Sequence, residues 1–255
     1  MWLRLRQICL VAEKLTPVEE AICDVFGVKV CYRDPGVGKF GLENALFPFG
    51  NQLLEVVAPT EPNTAAGRYL ERRGGDGGYM FITQCDDIQP RRARVNTLGI
   101  RLAHQFERPT FQNMQLHPRD TGGTFFEIDE QRGPNAHDLD GPWHPAGVDW
   151  QANRVLDRVT GFAAAEIQCD DPAALSKRWS EIAEIELSEA EGQVLMQLDN
   201  ASCRFVSCTD GRPEGLGSID VAVANKDAIR ASAQAQNALT GDDQVYLCGT
   251  RFNLL

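Results

Sequence analysis

The sequence repeats one short pattern, and this repetition constrains the fold more than any other feature. Two largely apolar segments, 78–87 and 161–171, both end in Gln-Cys-Asp-Asp and both lead through a proline into a helical pattern. An aspartate at a helix start can accept hydrogen bonds from free backbone N–H groups and offsets the positive end of the helix dipole. Proline is tolerated in the first helical turn. Each segment is therefore predicted to be a strand that leads directly into a helix.

Two more segments have the same layout. A strand is predicted over 5–12 and is followed by a helix over 16–26; near the end, a strand over 217–223 precedes a helix over 226–239. Three strand-like runs follow each of the first three strand–helix pairs, whereas the fourth pair is followed by two runs. The sequence thus predicts four strand–helix–strand–strand–strand units, with one strand missing from the last.

The first helix carries signals at both of its ends. Thr16 and Glu19 have the spacing of a capping box, in which two side chains and two backbone N–H groups pair reciprocally. Gly27 suits the left-handed position that ends many helices. The first strand-like run after this helix covers 28–32.

Strands that follow one another without an intervening helix pair antiparallel, which predicts an α+β fold with the helices on one face of each sheet. The segment 130–160 interrupts the pattern and is rich in Gly, Pro, Asn and Asp. It is long for an inert loop. Its Trp143, His144 and Trp150 predict that it packs on a surface or covers a pocket.

Composition excludes several classes of protein. The chain has 255 residues, 43% of them hydrophobic and 24% charged, and a net charge of −11, which argues against a nucleic-acid binder because such a protein needs a basic face. No apolar run is long enough to cross a bilayer. The eight cysteines form no Cys-x-x-Cys pair, and several lie in apolar runs, so we expect reduced thiols and a cytoplasmic protein.

Two stretches resemble a known superfamily. Leu-His-Pro-Arg-Asp-Thr-Gly-Gly-Thr-Phe-Phe-Glu-Ile at 116–128 closely resembles the end of the second module of methylmalonyl-CoA epimerases, and 52–59 resembles a strand of glyoxalase-like proteins. The chain is therefore similar to the vicinal-oxygen-chelate (VOC) superfamily, which includes glyoxalase I and extradiol dioxygenases. The resemblance implies four βαβββ modules in two incomplete, U-shaped barrels with helices outside. It implies a first domain at 1–129, a linker at 130–160 and a second, degenerate domain at 161–255.

The resemblance also implies a metal site in the first barrel. The superfamily's ligand positions fall on Gln7, Glu55, Met80 and Glu127, where the third is normally His. Gln7, Glu55 and Glu127 would hold a divalent metal ion (Zn, Ni, Co, Mn or Mg), and Glu55 or Glu127 would move a proton. The thioether of Met80 is a soft ligand that matches these metals poorly.

In the second half the corresponding positions fall on Ala164, Arg204, Ser218 and Asn253, which cannot build a metal site. A buried arginine there favours an anionic ligand or an internal ion pair.

Two orientations remain open for Glu55 and Glu127, since both lie in apolar strands. An inward-facing carboxylate is costly unless it is bound to a metal, paired or protonated, whereas strand alternation would also allow both to face solvent. We expect Met80, His104, His117 and Phe126 to line a ligand pocket. His117 could supply the missing third ligand, although a residue at a turn before a strand more often lies at a cavity rim.

The function implied by the resemblance is metal-assisted isomerase, epimerase or lyase chemistry on a small oxygenated metabolite. The alternative is a metal-free protein of the same superfamily that sequesters a small molecule without catalysis, with Met80 and neighbouring phenylalanines lining an apolar pocket. A structural partner of a larger enzyme is a third possibility. A small-molecule ligand is the expected partner, rather than nucleic acid or membrane, and a homodimer remains open.

Overall fold

The computed structural model describes residues 1–190 and 192–255, which form two mixed β-sheets and five α-helices. The strands of the first sheet are β1 (Leu3–Val11), β2 (Leu42–Phe49), β3 (Gln52–Pro59), β4 (Gly77–Cys85), β5 (Leu102–Arg108), β6 (Phe111–Leu116) and β7 (Phe125–Gln131). Those of the second are β8 (Val159–Cys169), β9 (Leu187–Ala190), β10 (Gln193–Gln197), β11 (Ser202–Ser207), β12 (Gly215–Val223), β13 (Leu239–Gly241), β14 (Gln244–Leu247) and β15 (Thr250–Leu254). The helices are α1 (Leu15–Phe26), α2 (Ala65–Arg73), α3 (Ile88–Thr97), α4 (Pro172–Ala183) and α5 (Lys226–Ala235).

The two sheets have the same topology, which confirms the predicted α+β fold built from repeated units. The first has seven strands in the order β2-β3-β1-β4-β7-β6-β5, and the second has eight in the order β13-β14-β15-β12-β8-β11-β10-β9. In each sheet, the leading strands of two units pair antiparallel at the centre, and each leading strand also pairs in parallel with the last strand of its own unit. Neither sheet closes into a barrel, so each leaves a concave face.

Each leading strand is followed by a helix, and these four helices are α1, α3, α4 and α5. They lie outside the concave faces and pack in one hydrophobic core that both sheets share. Trp179 of α4 in the second half stacks on Phe126 of the first sheet, with ring centroids 4.3 Å apart. The sheets also approach closely at Gly78, where a Cβ atom would lie 2.4 Å from the carbonyl oxygen of Leu216. The two halves are therefore packed back to back, with their concave faces pointing apart.

Three local predictions were wrong. The segment 28–32 forms a single bridge, between Tyr32 and Leu46, rather than a strand, and a 3-10 helix (Pro35–Phe40) follows it. The fourth unit has its third strand, β13, because Asn237 takes a left-handed conformation and the helix ends earlier than predicted. Helix α1 begins one residue before Thr16, so Thr16 lies inside the helix and makes no capping bond.

The two other helix-end predictions were correct. Gly27 ends α1 in the left-handed conformation with φ of 68°. Asp87 and Asp171 cap α3 and α4, because their carboxylates accept from backbone N–H groups of the first turn.

The segment after β7 covers one end of the concave face of the first sheet. Trp143 and Trp150 are fully buried there, and the guanidinium of Arg6 lies near both indole rings, 5.5 Å and 5.2 Å from their centroids. Arg6 also donates to the backbone carbonyl of Gly141 at 2.8 Å. This segment therefore packs on a surface of the first sheet, as its aromatic residues predicted. Strand β7 runs two residues beyond the predicted boundary at 129.

All eight cysteines lie in the described part of the chain and are free thiols. Among the described residues, none of the helices is long and apolar enough to cross a bilayer.

Candidate functional site

The concave face of the first sheet encloses a cavity of about 580 Å³, within the usual range for small-molecule sites. Its floor is polar, its walls are largely aromatic and its mouth carries cationic side chains. The residues that line it include Gln7, Lys39, Phe40, Glu55, Tyr79, Met80, His104, Phe106, Arg108, Phe111, Asn113, Gln115, Phe125 and Glu127.

The central strands place the superfamily's four ligand positions on this cavity. Glu55 of β3 lies beside Cys9 of β1, and Cys9 lies beside Met80 of β4. Glu127 of β7 lies beside Ile82 of β4. Because side chains alternate between the two faces of a strand, Met80 and Ile82 share one face. The inward orientation of Glu55 and Glu127, which the sequence left open, is therefore the one observed.

Both oxygens of the Glu55 carboxylate accept hydrogen bonds from side-chain amides. Gln7 Nε2 donates to Oε2 at 2.8 Å, and Asn44 Nδ2 donates to Oε1 at 2.6 Å. The indole N–H of Trp143 donates to Gln7 Oε1 at 2.8 Å. Because an indole nitrogen can only donate, Trp143 fixes the orientation of the Gln7 amide and turns its N–H group toward Glu55.

A second carboxyl group lies on β7. Gln115 Nε2 donates to Glu127 Oε2 at 2.9 Å and lies 3.8 Å from the sulfur of Met80. Two residues further along β7, Asp129 accepts from Asn113 Nδ2 at 3.0 Å. Glu127 and Asp129 thus each face a carboxamide on the neighbouring strand β6.

Burial changes the acidity of these groups. The pKa of Glu127 is raised to about 7, chiefly by removal from water and also by the charge of Glu55, while hydrogen bonds from Asp129 and Gln115 oppose the shift. Burial also raises the pKa of Glu55, against its amide bonds. The pKa of Asp129 is raised by burial and by the neighbouring Glu127 charge. A carboxyl group that titrates near neutral pH is suited to accept and return a proton.

The donor set does not fit a divalent metal ion. Such an ion requires oxygen or nitrogen lone pairs directed at one point. Gln7 Oε1 accepts from Trp143 and each oxygen of Glu55 accepts from a side-chain amide, so an ion would have to compete with these three hydrogen bonds. Met80 adds only a soft thioether. Among the residues that the structure describes, no group of three His, Cys, Asp or Glu side chains is arranged to hold a metal.

Two of the remaining predicted pocket residues lie elsewhere. His104 and Met80 line the cavity. His117 lies on the turn before β7, where its Nδ1 accepts from the backbone N–H of Arg119, and it does not line the cavity. Phe126 lies on the opposite face of β7, stacked on Trp179, because it is adjacent to the inward-facing Glu127. Its neighbour Phe125 lines the cavity instead.

The mouth of the cavity lies between the 3-10 helix and strand β5. Phe40 and His104 face each other with ring centroids 5.3 Å apart, and Lys39 Nζ lies 5.7 Å from the centroid of Phe106. The guanidinium of Arg108 lies 5.5 Å from the same ring. His104, Phe106 and Arg108 alternate along β5, which places all three on the cavity side of that strand.

Sequence reasoning missed several of the polar residues around the floor. Asn113 and Gln115 alternate along β6, and Asp129 follows Glu127 at the spacing that keeps both on one strand face. That period of two is a signal that could have identified all three. Asn44 gave no such signal, because its partner Glu55 lies on the next strand.

The second sheet carries an ion network at the corresponding positions, which confirms one of the two expectations for a buried arginine. Arg204 donates to both oxygens of Asp220 and lies 3.7 Å from Glu166. Arg251 donates to Glu166 at 2.7 Å. Asn253 donates to Asp220 at 2.8 Å. The concave face of the second sheet is therefore occupied by paired charges.

The comparisons with known proteins identify a family. A family model described as a glyoxalase-like domain matches residues 8–183, which is more than half of the chain. No curated protein sequence matches this chain significantly.

The similar solved structures have low sequence identity to this chain. A hypothetical protein from Staphylococcus aureus is 13% identical, with full coverage of both chains and a TM-score of 0.67. Methylmalonyl-CoA epimerase from Streptomyces coelicolor, in complex with 2-nitronate-propionyl-CoA, is 19% identical over 51% of this chain and 98% of its own, with a TM-score of 0.45. The epimerase from Mycobacterium tuberculosis is 20% identical over 52% of this chain and 91% of its own, also with a TM-score of 0.45.

Proposed function

This chain belongs to the glyoxalase-like domain family, and on that premise we propose that its first half binds a small oxygenated organic molecule and transfers a proton on it. The reaction class is that of an isomerase, epimerase or lyase. The observation that carries this proposal is the pair of buried carboxyl groups, Glu55 and Glu127, on the floor of an enclosed cavity. A buried carboxyl pair is costly to maintain, and acid–base chemistry gives a reason for it.

The proton transfer can be written with the residues of this cavity. Glu127 accepts a proton from a carbon next to a carbonyl group of the ligand, so that the C–H bond breaks and its electron pair moves to the carbonyl oxygen. Gln115 and Tyr79, which line the cavity, carry N–H and O–H donors suited to that oxygen. Delivery of a proton to the other face of the carbon, for which the second carboxyl group, Glu55, is the donor on this cavity, gives epimerisation. Return of the proton from Glu127 to the neighbouring atom gives isomerisation.

The superfamily's usual metal has no part in this proposal. A metal ion at such a site would supply a Lewis acid for the developing oxyanion, but the side-chain bonds around Gln7 and Glu55 do not fit one. The charge on the ligand oxygen is left to the amide and hydroxyl donors of the cavity.

Proton exchange with solvent tests the proposal without knowledge of the natural substrate. The protein is incubated in D₂O with 2-oxobutanoate, hydroxyacetone and S-ethyl propanethioate, and deuterium incorporation next to each carbonyl is followed by NMR. We expect incorporation above the uncatalysed rate for at least one probe, and its loss in Glu127→Gln. The control Glu189→Gln removes an exposed carboxylate of the second sheet and should exchange as the unmodified protein does. Absence of exchange with all three probes would refute the proton transfer.

A second candidate function is binding without catalysis. The aromatic wall favours it, because Tyr79 and Phe125 pack edge to face with ring centroids 4.9 Å apart and both line the cavity. Such walls suit a protein that sequesters an apolar molecule. Ligand binding by the unmodified protein that persists in Glu127→Gln, without deuterium exchange, would support this candidate.

A further inference from the structure

The distribution of charge along the cavity restricts which ligands it can take. We infer that the ligand of the first sheet is an organic anion with an aromatic or apolar body, bound with its anionic group at the mouth between Lys39 and Arg108. This inference rests on the proposed binding function and names its ligand class. The juxtaposition that carries it is two unpaired cations at the mouth, an aromatic wall behind them and carboxyl groups at the floor.

The two cations at the mouth have no carboxylate partners. Within residues 1–190 and 192–255, nine arginine and lysine side chains and the N-terminal amine make ion pairs with carboxylates. Neither Lys39 nor Arg108 is among them. Both lie against the ring of Phe106. Lys39 belongs to the 3-10 helix and Arg108 to strand β5. In a chain of net charge −11, such a pair makes a local positive site.

Asp34 is the acidic residue at the mouth, and it is already engaged. Its Oδ1 accepts from the backbone N–H of Gly36 at 2.8 Å and caps the 3-10 helix. Among the described residues, its carboxylate makes no ion pair with Lys39 or Arg108. One carboxylate faces two cations at the mouth and pairs directly with neither, so the mouth keeps a net positive charge.

The floor of the cavity, unlike its mouth, disfavours an anionic group. Glu55 and Glu127 repel an anion there, while Asn113 Oδ1 is buried without a hydrogen-bond partner among the described residues. A buried acceptor without a partner is costly, and a hydroxyl or N–H group of a ligand would satisfy it. The anionic end of the ligand is thereby directed to the mouth and a hydrogen-bond donor to the floor.

Between the two ends, the walls are apolar. Phe106, Phe111, Phe125 and Tyr79 line this middle part, together with Met80. Aromatic faces and a thioether gain contact with an aromatic or branched apolar body rather than with a polyol. The ligand class is therefore an amphiphilic anion rather than a sugar or a small inorganic ion.

Two fluorescent probes that differ in one charged group test the inference on the full chain. 1-Anilinonaphthalene-8-sulfonate is an aromatic anion, and N-phenyl-1-naphthylamine has the same rings without the sulfonate. We expect the anion to bind with a dissociation constant below that of the neutral probe. In Lys39→Met/Arg108→Met, anion binding should weaken about fivefold or more, while binding of the neutral probe should change less than about twofold.

The control variant Lys29→Met/Lys177→Met removes the same formal charge from exposed positions away from the cavity and should bind both probes as the unmodified protein does. Equal losses in the two double variants would mean that net charge alone attracts the anion and would overturn the inference. So would a neutral probe that binds as tightly as the anion, or no binding of either probe. These outcomes are independent of deuterium exchange, so the two proposals can fail separately.

Discussion

The indole N–H of Trp143 donates to the side-chain oxygen of Gln7 at 2.8 Å, across 136 residues of sequence. This bond joins the segment between the two sheets to the first strand of the first sheet. It determines which end of the Gln7 amide faces Glu55. The residue that decides the chemistry of the floor therefore lies outside the strands that build it.

Trp143→Phe tests how much this bond stabilises the fold. The substitution leaves Gln7 Oε1 as a buried acceptor without a partner, which costs about 1–3 kcal/mol, and the smaller ring leaves a gap. The free energy of unfolding, measured with urea, should fall by at least that amount. Trp150→Phe is the matched control, because it removes an equally buried indole whose longer bond, 3.2 Å, goes to the backbone carbonyl of Gly141. If the control lost as much stability, the bond to Gln7 would have no special contribution.

The repeated strand–helix pattern was sufficient to predict the fold class. Period-two and helical apolar spacing identified the leading strands and helices of all four units, because those residues bury one face against a shared core. Where local signals competed, the prediction was wrong: Thr16 and Glu19 have capping-box spacing, but the helix starts one residue earlier.

The candidate site was only partly predictable from the sequence. The resemblance identified Gln7, Glu55 and Glu127, which share the cavity. Strand alternation alone would have excluded Phe126 from the cavity, since its neighbour Glu127 faces inward. The Trp143 contact could not be predicted, because it depends on how a segment without regular structure packs on the sheet.

Stability should depend on pH through Glu127. Its pKa is raised from the ordinary value to about 7 in the folded protein, chiefly by burial. Between about pH 4.5 and 7 the folded state keeps a proton that the unfolded state has released, so the free energy of unfolding falls as pH rises through this window. Each unit of pKa difference corresponds to about 1.4 kcal/mol.

Urea unfolding of the unmodified protein and of Glu127→Gln at several pH values isolates this contribution. The variant has no titrating group at that position. Its free energy of unfolding relative to that of the unmodified protein should therefore rise from pH 4.5 to 7 and then level off. A constant difference between the two proteins across that range would show that Glu127 is not protonated in the folded state.

The ion network of the second sheet should be a stabilising feature. Arg204→Met leaves Asp220 and Glu166 without their shared guanidinium, at positions where these side chains are only 11% and 14% exposed. Removing one partner of a fully buried pair costs about 3–5 kcal/mol, and partial exposure here reduces the expected loss to about 2–3 kcal/mol. Arg101→Met is the comparison, because Arg101 is 53% exposed in its pair with Asp120 and its loss should cost about 1 kcal/mol or less. Equal losses in chemical denaturation would contradict a special role for the network.

Met80 should weaken the binding of a divalent metal, in addition to the hydrogen bonds that already hold Gln7 and Glu55. Met80→His places an imidazole on the cavity face of β4, where it can join Glu127 and compete for an ion against the existing amide bonds. We expect zinc to bind the unmodified protein weakly and to bind Met80→His roughly tenfold more tightly or better, an effect of the size that changes around a metal site produce. Competition with a zinc-sensitive dye measures both affinities. The double variant Met80→His/Glu127→Gln should lose the gain, because the imidazole then lacks a carboxylate partner. Tight stoichiometric zinc binding by the unmodified protein would instead mean that Gln7 can leave Trp143 and turn its oxygen to the metal.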